Sequence, residues 1–144
     1  MSDHDERWVL LHLIEMCRSE ERALRFAAEH ISDHGVRDLL DELAARRAAF
    51  AEDLVPHAQR LGGAASSDGA SRASLRQRWT ALKGSLLGHR EETLLRDAEY
   101  LEKETLNTFE HALDDLLPET THDLIEKQCA ELRMSYARVR ALKH

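Results

Sequence analysis

The first segment of the chain carries apolar residues at alternating steps of three and four, interrupted once by a carboxylate. The positions are Leu10, Ile14, Cys17, Glu21, Leu24, Ala28 and Ile31. A later segment repeats this pattern with two carboxylates: Leu95, Glu99, Glu102, Leu106, Phe109, Leu113 and Leu116. Such spacing places the side chains on one face of an α-helix. Because a buried carboxylate needs a cation or a metal ion as its partner, the pattern predicts a polar layer inside the protein.

Two further segments have the same periodicity, which predicts four helices in all. Their apolar faces are Val36, Leu40, Leu43, Arg47, Phe50, Leu54 and Leu61, and then Leu124, Ile125, Gln128, Leu132, Ser135, Val139 and Leu142. We expect helices over about residues 4–31, 34–61, 91–115 and 119–143, with Pro56 kinking the second helix or ending its regular part. No segment alternates as a strand does. The pattern predicts a single domain, 1–144, that folds as an all-α antiparallel four-helix bundle.

The long connection between the second and third helices contains one more amphipathic segment. Glycine, alanine and serine dominate residues 62–71, which indicates a loop. A short helix is expected over about residues 72–87, with Trp79 as its anchor on the bundle.

Charge and motifs exclude several classes of function. The 144 residues carry a formal net charge of −7, which argues against nucleic acid or an anionic membrane as a partner. No apolar stretch is long enough for a membrane span, and we expect a cytoplasmic protein. Cys17 and Cys129 are far apart, and Cys17 is expected to be a reduced, packing thiol. No phosphate-binding glycine loop or nucleophile elbow is present, so a non-enzymatic role is favoured.

The polar positions of the four helices are expected to meet in one layer. Glu21 and Arg47 are equally distant from the first turn, while Glu102 and Gln128 lie near the middle of their helices. In the favoured interpretation this layer is an ion-pair network, with Arg47, or its neighbour Arg46, held between Glu21 and Glu102.

The alternative is a carboxylate-bridged metal site. Its candidate ligands for iron or manganese are Glu21, Glu99, Glu102 and Glu131. No histidine lies at their level, and an arginine stands where one ligand is needed. The absence of nitrogen ligands favours a protein without a cofactor.

The remaining histidines suggest a weaker site. His30 and His34 flank one tight turn, while Glu119 and His122 flank the other, so all four are expected at one end of the bundle. Zinc could bind there, although solvated histidines beside turns are the favoured interpretation. His57, beside Pro56, is expected to pack rather than to bind a metal.

Long stretches of the chain resemble a bacterial family of ferritin-like four-helix-bundle proteins, a domain of unknown function. They are residues 13–31, 39–54, 60–63, 75–88 and 127–142, together with the region of Glu99 and Glu102. The resemblance implies a ferritin-like bundle with a role in stress physiology. It also implies family positions at Glu15, Glu21, Glu42, Glu99, Glu102, Gln128 and Glu131. A histidine that is usual on the last helix is replaced by Tyr136, which argues further against metal binding.

The leading hypothesis is therefore a non-catalytic, cytoplasmic, stress-associated protein that forms a homo-oligomer. Trp8 and Trp79 are candidates for its interface. One alternative is a metal-binding protein or metal-dependent oxidase. Another is a partner-binding module that uses the short helix around Trp79 as its docking face.

Overall fold

The computed structural model describes residues 3–62 and 91–142 of the chain. Four helices occupy these ranges: α1 (Asp3–Glu29), α2 (His34–Arg60), α3 (Glu91–Ala112) and α4 (Glu119–Ala141). No strand occurs within them. The short helix expected over residues 72–87, with Trp79, lies outside the described residues.

The ends of α2 show how local sequence sets the helix boundaries. The Asp33 carboxylate accepts a hydrogen bond of 2.9 Å from the backbone N–H of Val36, which caps the first turn. Pro56 lies inside α2 and does not end it, because the helix continues to Arg60. Gly62 then adopts a φ of 86°, a left-handed conformation that glycine accepts without strain.

Contacts between helix ends fix the directions of the four helices. Beside the α1–α2 turn, the backbone N–H of Ser32 donates to Glu91, the first residue of α3, at 2.7 Å. At the other end of the bundle, His57 near the end of α2 meets Thr121 at the start of α4. All neighbouring helices are therefore antiparallel, while α2 and α3, which lie on a diagonal, point the same way. The predicted all-α antiparallel four-helix bundle is confirmed.

This topology corrects one expectation about the histidines. His30 and His34 lie at the α1–α2 turn, whereas Glu119 and His122 lie at the start of α4, at the opposite end of the bundle. The expected cluster of these four residues is therefore wrong. The reason is that α2 and α3 point the same way, which places the two tight turns at opposite ends.

The interior consists of two apolar clusters separated by buried polar side chains. The first contains Leu13, Phe50, Phe109 and other residues near the start of α1. The second contains Leu24, Leu40, Leu94 and others near the α1–α2 turn. The buried polar or charged residues are Ser19, Glu20, Arg47, Glu102, Thr105, Thr121, Gln128 and Ser135. No helix in the described ranges has the length and apolar character needed to cross a bilayer.

Candidate functional site: a polar layer at the centre of the bundle

The centre of the bundle is occupied by the side chain of Arg47, which is fully buried. Its Nη2 lies 3.4 Å from Glu102 Oε1, and its Nε lies 3.6 Å from Glu20 Oε1. Nη2 also donates a 2.9 Å hydrogen bond to Ser135 Oγ. The guanidinium carbon lies 4.5 Å from the centre of the Phe50 ring, a distance typical of a cation–π contact. All four helices therefore contribute to one layer around a single cation.

Three of the four residues expected in the layer are buried there, and one is not. Arg47, Glu102 and Gln128 are buried, and the Gln128 amide donates to the backbone carbonyl of Phe50 at 3.4 Å. Glu21 instead lies partly exposed, and its carboxylate accepts a 3.2 Å hydrogen bond from Arg25 on the same helix. Glu20 is the buried carboxyl of α1, only 2 % exposed.

The width of the buried face of α1 explains this difference. Two rows of side chains on α1 are buried, one with Ile14, Cys17 and Leu24 and another with Leu13 and Ala27. A carboxylate at either residue 20 or residue 21 continues one of these rows. Since α1 packs against both α2 and α3, the three-dimensional arrangement, and not the periodicity, decides which carboxylate is buried.

The four candidate metal ligands are dispersed. Glu102 alone of the four is in the central layer, Glu99 is half-buried, and Glu21 pairs with Arg25. Glu131 accepts two hydrogen bonds, of 2.7 and 2.8 Å, from Arg46 at the surface, and these hold the pKa of Glu131 below its usual value. Within the described ranges, no three histidine, cysteine, aspartate or glutamate side chains are grouped to hold a metal ion. With Arg47 between Glu20 and Glu102, the residues of the layer do not fit a metal centre.

Burial controls protonation in the layer. It raises the pKa of the Glu20 carboxyl well above 4.5, and the nearby Glu102 carboxylate raises it further, against the opposite effect of Arg47. Burial likewise raises the pKa of the Cys17 thiol. The shift at Glu20 favours its protonated form, in which the carboxyl can donate a hydrogen bond to Glu102.

Most polar atoms of the layer face one another. The Glu20 carboxyl is hydrogen-bonded to Glu102 and Thr105, and Arg47 Nε lies 3.6 Å from Glu20 Oε1. Arg47 Nη1 and Gln128 Oε1 have no hydrogen-bond partner among the described residues. Each unpaired buried polar atom costs about 1–3 kcal/mol, while a folded domain is stable by only about 5–15 kcal/mol.

Sequence reasoning missed Glu20 and Thr105 as members of the layer and did not assign a role to Ser135. Ser135 follows Gln128 and Leu132 at helical spacing, which was a usable signal. Thr105 stands three residues after Glu102 and is equally buried. Small hydroxyl side chains are common on helix faces, so their spacing alone does not identify them as part of a site.

The histidine beside Pro56 contributes to helix packing. His57 Nδ1 lies 2.6 Å from Thr121 Oγ1, which links α2 to α4. Burial lowers the pKa of His57, and the nearby Arg60 lowers it further. A neutral, hydrogen-bonded imidazole at this position joins two helices.

Comparisons with known proteins agree with this architecture. Residues 7–115 match the sequence profile of a family described as Domain of unknown function (DUF2383). The chain belongs to this family. The match covers α2, α3 and α1 from Arg7 onward in this DUF2383 protein, including the Glu20, Arg47 and Glu102 positions. No match was found among curated proteins.

Two solved structures from Mycobacterium smegmatis share the fold of this DUF2383 protein. A mutant of Dps1 is 13% identical, with a TM-score of 0.81, and the alignment covers 99% of this chain and 97% of that one. A tetragonal form of Dps is also 13% identical, with a TM-score of 0.77 and coverage of 96% and 86%. At this identity the likeness shows the fold alone. It confirms the ferritin-like four-helix bundle that the sequence resemblance implied.

Proposed function

We propose that this protein is a non-catalytic four-helix bundle that acts through its outer surface rather than through a reaction centre in its interior. The observation that carries the proposal is the position of Arg47. Its guanidinium is fully buried between Glu20 and Glu102, where a bridging metal ion would need to lie. The guanidinium of Arg47 therefore occupies the position that a carboxylate-bridged metal ion would need.

The proposal includes a cytoplasmic, homo-oligomeric protein with a role in stress physiology. The family resemblance supports the stress role, and exposed large apolar side chains support an interface. Among the described residues, Met134 is 68% exposed, Tyr100 58% and Trp8 43%. Light scattering at micromolar concentration should give a mass above that of one chain, and a monomer mass would contradict the oligomer.

Metal analysis tests the central part of the proposal. Untagged protein is purified without chelator, challenged with Fe²⁺ under anaerobic conditions, and measured by mass spectrometry for bound metal. We expect no stoichiometric iron or manganese. Stoichiometric metal that is lost in Glu20→Ala and Glu102→Ala, and retained in the surface variant Glu131→Ala, would refute the proposal.

That result would favour the second candidate function, a metal-binding protein or an iron- or manganese-dependent oxidase. The observation in its favour is that two fully buried carboxyl groups, Glu20 and Glu102, come from the neighbouring helices α1 and α3. Arg47→Gln would then keep or increase the bound metal, because it removes the competing charge. The partner-binding alternative depends on Trp79, which lies outside the described residues. Truncation of residues 72–87 would test this hypothesis.

A further inference from the structure

The outward face of α4 carries an apolar row that the interior of the bundle does not use. Its members are all exposed: Ala130, Met134, Ala137 and Ala141. They follow one another at steps of four, three and four residues, which places them on one side of the helix. The opposite side of α4, with Ile125, Leu132 and Val139, is buried. This helix therefore has a second apolar row, in which Met134 is 68% exposed.

The row is complementary to itself. Alanine side chains allow two helices to pack closely, with their axes about 8–10 Å apart. In an antiparallel pair of α4 helices, Ala130 of one copy lies level with Met134 of the other, and Lys127 lies level with Ala137. Each alanine then faces a longer side chain, Met134 or the aliphatic part of Lys127. Large and small side chains thus alternate across the contact, as a two-fold interface between identical surfaces requires.

Charged residues flank the row, and three of them are neutralised within their own chain. The salt bridges that do so are Glu131 with Arg46, Arg133 with Glu110 and Arg138 with Glu42. No salt bridge within residues 3–62 and 91–142 involves Glu126 or Arg140. These two charges have opposite signs, so each can serve as the partner of the other in a second copy.

The positions of these two charges favour an antiparallel pair. Glu126 and Arg140 lie along the same edge of the row, seven residues on either side of Arg133. Across an antiparallel pair, each Glu126 therefore lies beside Arg140 of the second copy, which gives two ion pairs. In a parallel pair, Glu126 would meet Glu131 instead, and repel it. Arg133 would likewise meet Arg138.

We propose that the exposed row of α4, centred on Met134, is the surface on which a second copy of the chain docks in antiparallel orientation. The two copies bury Met134 and the three alanines, and they pair Glu126 with Arg140 at each end of the contact. This inference rests on the homo-oligomer of the proposed function and names its contact surface.

Two exposed large side chains provide a matched test. Met134 belongs to the row of α4, whereas Tyr100, 58% exposed, lies on α3 outside that row. Light scattering and sedimentation over a range of micromolar concentrations give the mass of the full chain, of Met134→Arg and of Tyr100→Arg. We expect Met134→Arg to raise the dimer dissociation constant by about tenfold or more and Tyr100→Arg to leave it unchanged. Circular dichroism should show the same helix content for all three proteins.

Charge reversal tests the orientation of the two copies. Glu126→Arg and Arg140→Glu should each raise the dissociation constant by about fivefold, because each replaces an ion pair with two like charges. The double variant should restore the original value. Two weakened single variants without restoration in the double variant would overturn the antiparallel arrangement.

The outcomes separate this surface from the oligomer itself. A dimer that withstands Met134→Arg, whether or not Tyr100→Arg disrupts it, would overturn the α4 contact and leave the proposed homo-oligomer standing. A monomer of the unsubstituted chain over the whole concentration range would overturn both. A weakened dimer for Met134→Arg alone, with restoration in the double charge reversal, would support the proposal.

Discussion

Arg46 and Arg47 are neighbours on α2, yet they belong to different environments. Arg46 lies at the surface and makes two hydrogen bonds of 2.7 and 2.8 Å to Glu131. Arg47 is fully buried and lies farther from its carboxyl partners, at 3.4 and 3.6 Å. The shorter contacts therefore belong to the exposed pair, Arg46 and Glu131, whose hydrogen bonds water can replace. Burial, rather than contact length, therefore determines which arginine the fold depends on.

Arg47→Ala should produce the largest effect. It leaves the Glu102 carboxylate without its cation and removes the contact with the Phe50 ring. We expect the free energy of unfolding to fall by about 3–5 kcal/mol, measured by urea denaturation. A smaller loss of free energy of unfolding than in Arg46→Ala would contradict the conclusion that the fold depends more on the buried arginine.

The pH dependence of stability should show the buried carboxyl of Glu20. Its folded-state pKa lies above 4.5 because of burial and of Glu102, so the folded chain retains a proton that the unfolded chain releases. Stability should therefore fall as the pH rises above about 4.5 towards the folded pKa, with a slope of at most about 1.4 kcal/mol per pH unit. Glu20→Gln should flatten this slope in thermal scans across pH, compared with the unsubstituted chain.

The contact between His57 and Thr121 should have an effect between those of Arg47 and Arg46, since His57 is half-buried. Thr121→Val removes the hydroxyl that pairs with the imidazole at 2.6 Å. We expect a loss of about 1 kcal/mol in the free energy of unfolding. An unchanged urea midpoint would show that water replaces this hydroxyl without cost.

Arg46→Ala should produce the smallest effect in the series. The pair with Glu131 is exposed on both sides, so its loss should cost less than about 1 kcal/mol and should decrease further at high salt. A cost close to that of Arg47→Ala, at any salt concentration, would show that the two short hydrogen bonds outweigh burial.

The helices were predictable from sequence because each keeps its apolar period for several turns. Arg47, Glu102 and Gln128 were identified for the same reason, since they interrupt that period. Glu20 was not, because residues 20 and 21 both continue a buried row of α1. The expectation that both tight turns lie at the same end of the bundle was also wrong. A connection of residues 61–90 is long enough to enter α3 at either end of the bundle, so periodicity leaves its direction open.

The central layer takes its polar side chains from both helical hairpins. Glu20 and Arg47 belong to the α1–α2 hairpin, whereas Glu102 and Ser135 belong to α3 and α4. Each hairpin can form from contacts near in sequence, but the layer is complete only after the two hairpins dock. We expect substitutions at Arg47 to accelerate unfolding and to leave the folding rate almost unchanged in stopped-flow measurements. The layer would then determine the lifetime of the folded chain, while the two hairpins determine how fast it forms.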